Sequence, residues 1–270
     1  MKLFGKIYMA VVFTIMYLPL AVMVVFSFNS SNSTAKFTGF STYWYQEMIS
    51  DSATMDALRN TLVLALLSTV IATVLGTAAA VGIFAIKNKW FKTGVLSVTN
   101  IPMMNPDIVT GVSLMLLFAF VGRLMGAVES LGFGTILIAH ITFSLPYVVL
   151  NVLPKLVQTD SHLAEAAQDL GSTPVHAFFK VVMPSIAPGI ISGALMAFTM
   201  SIDDFVIRHY TAGGYTTLPL LIYTMTKKRV TPKMYAVCSC ILFAVLALLI
   251  IMNISQFRQA ARKNKSKNLL

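Results

Sequence analysis

Charged side chains are scarce in this 270-residue sequence. Only 11% of the residues are Asp, Glu, Lys or Arg, whereas 57% are apolar, and the mean hydropathy is +0.78. Soluble domains carry about 25% charged residues and about 45–50% apolar ones. This composition excludes an ordinary soluble enzyme and a disordered chain. It predicts an all-α protein that crosses a membrane several times.

Cysteine is scarcer still. Cys238 and Cys240 are the only two, and they lie two positions apart inside an apolar segment, which excludes a disulfide framework. Two thiols without further ligands make a poor metal site, and the four histidines show no ligand spacing. The sequence therefore predicts no bound metal. The histidines are His140, His162, His176 and His209.

Motifs of catalysis are also missing. The chain has no Walker A pattern, no HExxH, no CxxC and no Gly-x-Ser-x-Gly. It therefore lacks the usual means of holding a nucleotide or of hydrolysing a substrate at a nucleophile. We expect this chain not to be an enzyme and to bind no cofactor itself. If it transports a solute with the energy of ATP, a separate subunit must supply the ATPase.

Long apolar runs are what the sequence has in abundance. A membrane span needs roughly 20 apolar residues, and the runs predict about six spans. The first run is too long for a signal peptide and lacks a cleavage site, so we expect a retained helix. The spans predict a single transmembrane domain over residues 1–270 with a core at about 60–256. They lie at about 7–28, 60–86, 94–121, 131–153, 184–206 and 234–256.

The net charge of +10 arises from 20 basic and 10 acidic residues. In a soluble protein this excess of basic residues would suggest that the protein binds nucleic acid. Here the basic residues lie in short loops and in a tail at 258–267, directly after an apolar run, as the positive-inside rule requires. This pattern predicts cytoplasmic amino and carboxyl termini and no nucleic-acid partner. The basic loop at 227–233 argues for the opposite orientation.

Small residues recur at every fourth position in the second and fifth predicted spans. This spacing lets helix backbones approach closely in lipid. Prolines interrupt several spans, and broken helices at membrane depth are tolerated where they pack in protein or line a water-filled cavity. Both features favour a tight bundle around a pathway. The small residues are Ala72, Gly76 and Ala80, then Gly189, Gly193, Ala197 and Ser201; the prolines are Pro102, Pro106, Pro146 and Pro188.

The loop at about 158–183 joins the fourth and fifth spans. Asp160 or Ser161 can cap a short helix, and Gly171 suits the left-handed position that ends it. Ser172 and the proline two positions later then start a second short helix. Such a helix pair either merely connects the two spans or fits a groove on a partner and transmits its movement to both.

The loop contains the motif Glu165-Ala-Ala-x-x-x-Gly171, and Pro184 follows thirteen residues later. This pattern resembles the EAA loop of the permease subunits of ABC importers. In that family the loop is the coupling helix that docks on the cytoplasmic ATPase. The order of the spans around it matches as well, so the resemblance covers nearly the whole chain. It implies the permease fold of type I ABC importers, the MetI-like fold. The coupling residues that it implies are Glu165, Ala166, Ala167, Asp169, Gly171 and Pro184.

Further segments resemble spermidine/putrescine permeases of the PotC type. This resemblance implies a bacterial plasma-membrane protein that receives polyamines from an extracytoplasmic binding protein and passes them across the membrane. It also implies a second, PotB-like permease subunit and two cytoplasmic ATPase subunits that hold ATP and Mg. The run of basic residues at 227–229 is more basic than this resemblance leads us to expect, because positive charges do not favour a pathway for polycations. The matching segments are 27–31, 44–45, 105–109, 140–146, 201–204 and 218–223.

A polyamine carries several ammonium groups, so its pathway needs carboxylates and aromatic faces. Carboxylates in or near membrane spans are costly and therefore informative. Asp107, Asp203 and Asp204 are the three such acids in this sequence. Together with Trp44 they are the candidate pathway residues.

Each of these residues has a second interpretation. Asp204 can form an i,i+4 pair with Arg208 that finishes the helix. Asp107 follows an Asn-Pro pair that can start a half-helix, where the helix dipole favours an acid without any ligand. Trp44 is flanked by two tyrosines and can be an interfacial anchor. The residues alone leave these alternatives open.

The leading hypothesis is a permease subunit that forms half of a polyamine pathway and is driven by ATP hydrolysis elsewhere. Within the same class, the solute can instead be an opine, an amino acid or an ion. A secondary transporter would use Asp203 and Asp204 as a cation or proton relay, and an inverted repeat would favour it, but the chain shows none. A structural membrane subunit without a pathway is a third alternative.

Overall fold

The computed structural model describes residues 2–126, 131–160, 162–228, 230–247 and 250. Over these residues the regular structure is helical, apart from one isolated antiparallel bridge between Asn29 and Phe40. The helices are α1 (Lys2–Ser27), α2 (Tyr43–Ser50), α3 (Ser52–Ala85), α4 (Lys89–Met104), α5 (Asp107–Leu124), α6 (Phe133–Gln158), α7 (His162–Asp169), α8 (Pro174–Ala177), α9 (Met183–Asp203), α10 (Val206–Thr211), α11 (Leu218–Lys228) and α12 (Pro232–Ala247), with a π-helical turn (Phe178–Val182) between α8 and α9.

Five helical segments in the described part of the chain are long and apolar enough to cross a membrane. A sixth, α12, is apolar but shorter. Residues 248, 249 and 251–256 of the predicted sixth span, and the basic tail at 258–267, lie outside the described residues. The five segments are Phe4–Ser27, Ser52–Ala85, Asp107–Leu124, Phe133–Gln158 and Pro174–Asp203.

The predicted third span at 94–121 is broken at Pro106, where the sequence indicates the start of a half-helix. The chain breaks between α4 and α5, where Asn105 is extended with φ −78° and ψ 143°. Pro106 explains the break, because it donates no backbone hydrogen bond and its ring disfavours a helical conformation at the preceding residue. Of the two pieces, α5 alone has the length of a span, whereas α4 buries none of its side chains.

Contacts within the chain define two compact units. The first comprises Met1–Ala57 and Leu221–Leu270, and the second comprises Leu58–Leu220. The single domain over residues 1–270 stays a prediction. The core of the second unit forms around α6, which packs against α3 and α9. Its buried side chains are Val148, Val149, Val152, Leu153 and Leu156 of α6, Ala72, Ala80 and Ile83 of α3, and Ile186 and Ala197 of α9.

Glycines let α3 and α9 approach α6 closely. A Cβ atom at Gly76 would lie 2.7 Å from the Cβ of Val148, and one at Gly193 would lie 3.0 Å from the Cα of the same valine. Because apolar burial no longer drives association in lipid, this close packing is what holds the helices together. The predicted stripes are confirmed as packing surfaces. All seven of their residues are buried: Ala72, Gly76, Ala80, Gly189, Gly193, Ala197 and Ser201.

In the first unit, Asn29 organises the loop between α1 and α2. Its buried side chain donates to the carbonyls of Ser33 at 2.7 Å and Lys36 at 2.8 Å, and it accepts the N–H of Thr38 at 2.9 Å. Its backbone carbonyl accepts the indole N–H of Trp44 at 2.7 Å. One side chain therefore satisfies backbone groups along the whole loop and fixes its shape.

Also in the first unit, Lys233 binds two acids of the α2–α3 region. Its Nζ lies 3.0 Å from Oδ2 of Asp51 and 3.7 Å from Oε1 of Glu47. The hydroxyl of Thr54 and then Lys233 lower the pKa of Asp51. One basic residue of the loop at 227–233 is therefore paired with acids of this chain.

Replacing Gly76 by alanine tests the close packing of α3 on α6. We expect Gly76→Ala to lower the free energy of unfolding by about 1–3 kcal/mol, because the new methyl group overlaps Val148. Gly82→Ala on the same helix is the control, since within the described residues no atom beyond its own helical turns lies within 4 Å of the position that its methyl group would take. Thermal unfolding in detergent measures both. Equal midpoints for the two variants would contradict this packing.

Candidate functional site

Helix α7 begins where the sequence predicts. The carboxylate of Asp160 accepts the backbone N–H of His162 at 2.9 Å, whereas Ser161, the other predicted cap, lies outside the described residues. Nδ1 of His162 also lies 2.9 Å from Oε2 of Glu165, and both side chains are more than two-thirds exposed. The hydrogen bond to Glu165 raises the pKa of His162. The histidine therefore keeps its proton to a higher pH than usual.

Gly171 terminates helix α7, as predicted, two residues after the last helical residue. Gly171 has φ +88°, a left-handed conformation that strains other residues. The backbone N–H groups of Gly171 and Ser172 donate to carbonyls in the last turn of α7, at 2.8 Å and 3.1 Å, in a Schellman cap. The next cap is Thr173 and not the predicted Ser172, because the Thr173 hydroxyl accepts the N–H of His176 at 3.3 Å.

The second loop helix and the fifth span are one helix, which corrects the prediction of two. The helix runs without interruption over Pro174–Asp203. Within its π turn, the N–H of Met183 donates to the carbonyl of Phe178, five residues back. The wider turn precedes Pro184, which has no N–H to continue the ladder. Pro184 therefore lies in the first turn of α9 and does not start a separate helix.

Exposed apolar side chains surround α7. Leu170 is 89% exposed, Val175 67% and Phe179 57%, and α7 buries none of its own side chains. We call these three residues together with Glu165 the α7–α8 surface. Caps and a continuous helix fix its backbone, while its apolar side chains are left uncovered by the residues that the structure describes. Exposed apolar patches of this kind mark sites of protein contact.

At the opposite ends of α6 and α9, four side chains form a buried polar cluster: Ser68, His140, Ser201 and Arg208. Nε of Arg208 lies 3.3 Å from Nε2 of His140, and Nδ1 of His140 lies 2.8 Å from Oγ of Ser201. That oxygen lies 3.0 Å from Oγ of Ser68. None of the four is more than 1% exposed. The buried polar cluster therefore connects α3, α6, α9 and α10.

Asp204 ends α9 beside this cluster. Its carboxylate accepts the backbone N–H groups of Ile207 at 3.2 Å and Arg208 at 3.1 Å, and so caps α10. Its Oδ2 lies 3.4 Å from Nε2 of His140, and its side chain is 5% exposed. The predicted i,i+4 contact with Arg208 therefore exists, but it uses the backbone of Arg208. The guanidinium instead donates to the carbonyl of Ser201.

The other two pathway acids are exposed. Asp203 is the last residue of α9, and Asp107 is the first residue of α5. One turn after Asp107, Gly111 packs on α10, where an added Cβ would lie 3.4 Å from the Cα of Ile207. The start of α5 therefore lies close to the turn that follows Asp203. This contact packs the first turns of α5 against α10.

Trp44 is buried and not exposed at a membrane surface. Only 8% of the residue is accessible, and its indole N–H binds the carbonyl of Asn29. The interpretation as an interfacial anchor, with the ring lying in the headgroup region, is therefore wrong. The loop after α1 covers the ring, and no local sequence pattern showed that. Its role in the pathway stays a prediction.

His140 and Arg208 were not predicted as site residues. Arg208 lies four positions after Asp204, but the pattern gave no sign that its side chain would turn back into the protein. His140 stands in an apolar run, where a satisfied core histidine and a functional one look alike in sequence. In the part of the chain that the structure describes, no three His, Cys, Asp or Glu side chains lie close enough to hold a metal ion.

Residues 72–265 match the protein family described as the binding-protein-dependent transport system inner membrane component. The matched region contains the α7–α8 surface and every residue of the buried polar cluster except Ser68. The chain belongs to this family. As such a permease, and with five apolar spans in its described residues, it is a multi-pass membrane protein and a transport subunit rather than an enzyme.

The permease is similar over most of its length to three named transport proteins. It is 39% identical to the putrescine transport system permease protein PotI of Escherichia coli K12 over 86% of this chain and 83% of the relative. It is 35% identical to the spermidine/putrescine transport system permease protein PotC of Haemophilus influenzae, over 90% and 93%. PotC of Escherichia coli K12 is also 35% identical, over 90% of both chains.

Solved structures confirm the fold. A chain of the bacterial ABC transporter involved in the import of the acidic polysaccharide alginate superposes with a TM-score of 0.72 at 14% identity, over 96% of the permease and 95% of that chain. The inward-facing MetNI methionine ABC transporter gives 0.57 at 18% identity, over 81% and 95%. The MetI-like permease fold expected from the sequence is therefore present.

Neutralising the two adjacent acids separates their roles. We expect Asp204→Asn to lower the free energy of unfolding by about 3 kcal/mol, because it removes a buried charge that accepts the backbone N–H groups of Ile207 and Arg208 and lies beside His140. Asp203→Asn should leave stability within about 0.5 kcal/mol, as exposed substitutions do. Thermal unfolding of the purified permease compares them. Equal stability of both variants would contradict the capping role of Asp204.

Proposed function

We propose that this permease forms half of the translocation pathway for polyamines in an ATP-driven importer. The observation that carries the proposal is the 35–39% identity, over 86–90% of the chain, to permeases named for putrescine and spermidine transport. The exposed acids at the ends of α5 and α9 support it, because ammonium groups bind carboxylates by charge-assisted hydrogen bonds.

The α7–α8 surface receives the movement of a partner ATPase. Its exposed apolar side chains and Glu165 suit a groove on that partner. The surface continues directly into the helix Pro174–Asp203, whose 30 residues extend about 45 Å. A push at the loop therefore moves Asp203 and the adjoining turn without an intervening hinge loop.

Asp203 and Asp107 are the acids available to a cation. Asp204 binds groups of this chain, so it supports the site and does not face the solute. Trp44 acts by fixing the loop after α1 and not through an exposed ring face. Two exposed carboxylates hold a polycation weakly, which suits a pathway because a tightly held solute would not leave inward.

The complex needs partners. A PotB-like permease supplies the other half of the pathway, an extracytoplasmic binding protein delivers the polyamine, and two cytoplasmic ATPase subunits hold ATP and Mg. This chain binds no cofactor. Both of its termini lie in the cytoplasm of a bacterium, which puts the α7–α8 surface on the ATPase side and Asp203 on the side of the binding protein.

ATP hydrolysis by the complex tests this function. The permease is purified with its native partners and reconstituted with the binding protein, and spermidine, putrescine and a neutral sugar are added in turn. We expect only the polyamines to stimulate hydrolysis. If an ATPase co-purifies but polyamines have no effect, the solute is an opine, an amino acid or an ion. If no ATPase co-purifies, the ABC coupling itself is refuted.

Charge reversal at Glu165 tests the coupling loop. We expect Glu165→Lys to abolish uptake and leave membrane insertion unchanged, because it reverses the charge on an exposed surface without altering buried contacts. Asp56→Lys is the control, since Asp56 is also an exposed helical acid but lies on α3. Uptake into proteoliposomes and the amount of inserted protein are measured together. Normal uptake by Glu165→Lys would refute the docking role.

A further inference from the structure

The hydrogen bonds of the buried polar cluster have one consistent direction. The Nε–H of Arg208 can only donate, so Nε2 of His140 is the acceptor in their 3.3 Å contact, beside Oδ2 of Asp204 at 3.4 Å, and Nδ1 carries the ring proton in this arrangement. That Nδ1–H donates to Ser201, and the Ser201 hydroxyl can donate to Ser68. The Ser68 hydroxyl in turn donates to the backbone carbonyl of Ala65 at 3.2 Å.

This chain of bonds anchors α10. With only six residues, α10 is too short to be stable alone. Asp204 caps its start, and Arg208 ties it to α6 through His140 and to the end of α9 through the carbonyl of Ser201. The turn between α9 and α10 is therefore held at both ends. Asp203 is the exposed residue at the entrance to that turn.

We propose that His140 and Arg208 are positioning residues for Asp203. Neither touches the solute, because both are buried. They set the geometry of the turn and thus the place where the Asp203 carboxylate meets a cation. The inference rests on the proposed function, in which Asp203 receives the polyamine, and it adds residues that determine how that acid is presented.

Two amide substitutions at His140 distinguish the hydrogen bond made by Nε2 from the one made by Nδ1. Glutamine reaches the position of Nε2 and can accept from Arg208, whereas asparagine reaches only the position of Nδ1 and keeps the bond to Ser201. The bond to Arg208 is the one that anchors α10. His140→Gln should therefore preserve the presentation of Asp203, and His140→Asn should lose it.

The readout is the amount of putrescine transported per ATP hydrolysed by the reconstituted complex with saturating loaded binding protein. Loss of assembled complex lowers transport and hydrolysis in proportion, so a merely structural role leaves this ratio unchanged. We expect His140→Asn to lower the ratio about threefold or more, the size of effect that coupling residues have. His140→Gln should stay near the wild-type ratio. Thr142→Ala, exposed on the same helix, is the control.

A double variant shows whether the effect passes through Asp203. Asp203→Asn should lower the ratio by itself, and adding His140→Asn should lower it no further, because interacting residues are not additive. Where His140→Asn does not assemble, Arg208→Lys replaces it, since one ammonium cannot make both guanidinium contacts. Unchanged ratios in these variants, or additive losses in the double variant, overturn the proposal. A wild-type complex without polyamine transport refutes the proposed function instead.

Discussion

Val148 of α6 lies against the glycine positions of α3 and of α9, and the permease depends on this close approach. No side chain fits at Gly76 or Gly193 without overlap with this valine. Because lipid removes the hydrophobic drive for helix association, backbone proximity has to supply the attraction. The packing of α6 on α9 in turn fixes the positions of the residues at the two ends of this helix pair. One end carries the α7–α8 surface and the other carries the buried polar cluster.

The two ends serve different chemistry but share one rigid connection. At the loop end, apolar side chains and Glu165 are exposed, and local caps fix the backbone. At the other end the polar groups are buried and hydrogen-bonded to one another, and Asp203 is exposed beside them. The uninterrupted helix Pro174–Asp203 joins these ends. Motion and cation binding can thus be coupled through a single secondary-structure element.

The loop was largely predictable from the sequence because its structure is local. Asp160, Gly171 and Pro174 act within one or two turns, so residue type and spacing decide where α7 ends and α8 begins. The errors were local as well. The cap of α8 is Thr173, one position after Ser172. The helix also continues through a π turn at Phe178–Val182 into Pro184, where a helix boundary was expected. Such adjustments depend on backbone geometry that spacing does not encode.

By itself the sequence determined the membrane class, the small-residue packing faces and the resemblance to a permease family, because composition and period express them directly. Tertiary structure alone decided that Asp204 is buried and Asp203 exposed, and that Trp44 lies inside a folded loop. It also decided the partners of His140, which lie 61 and 68 residues away in the chain. A buried polar group must find its hydrogen bonds wherever the fold brings a partner, and no sequence spacing specifies that distance.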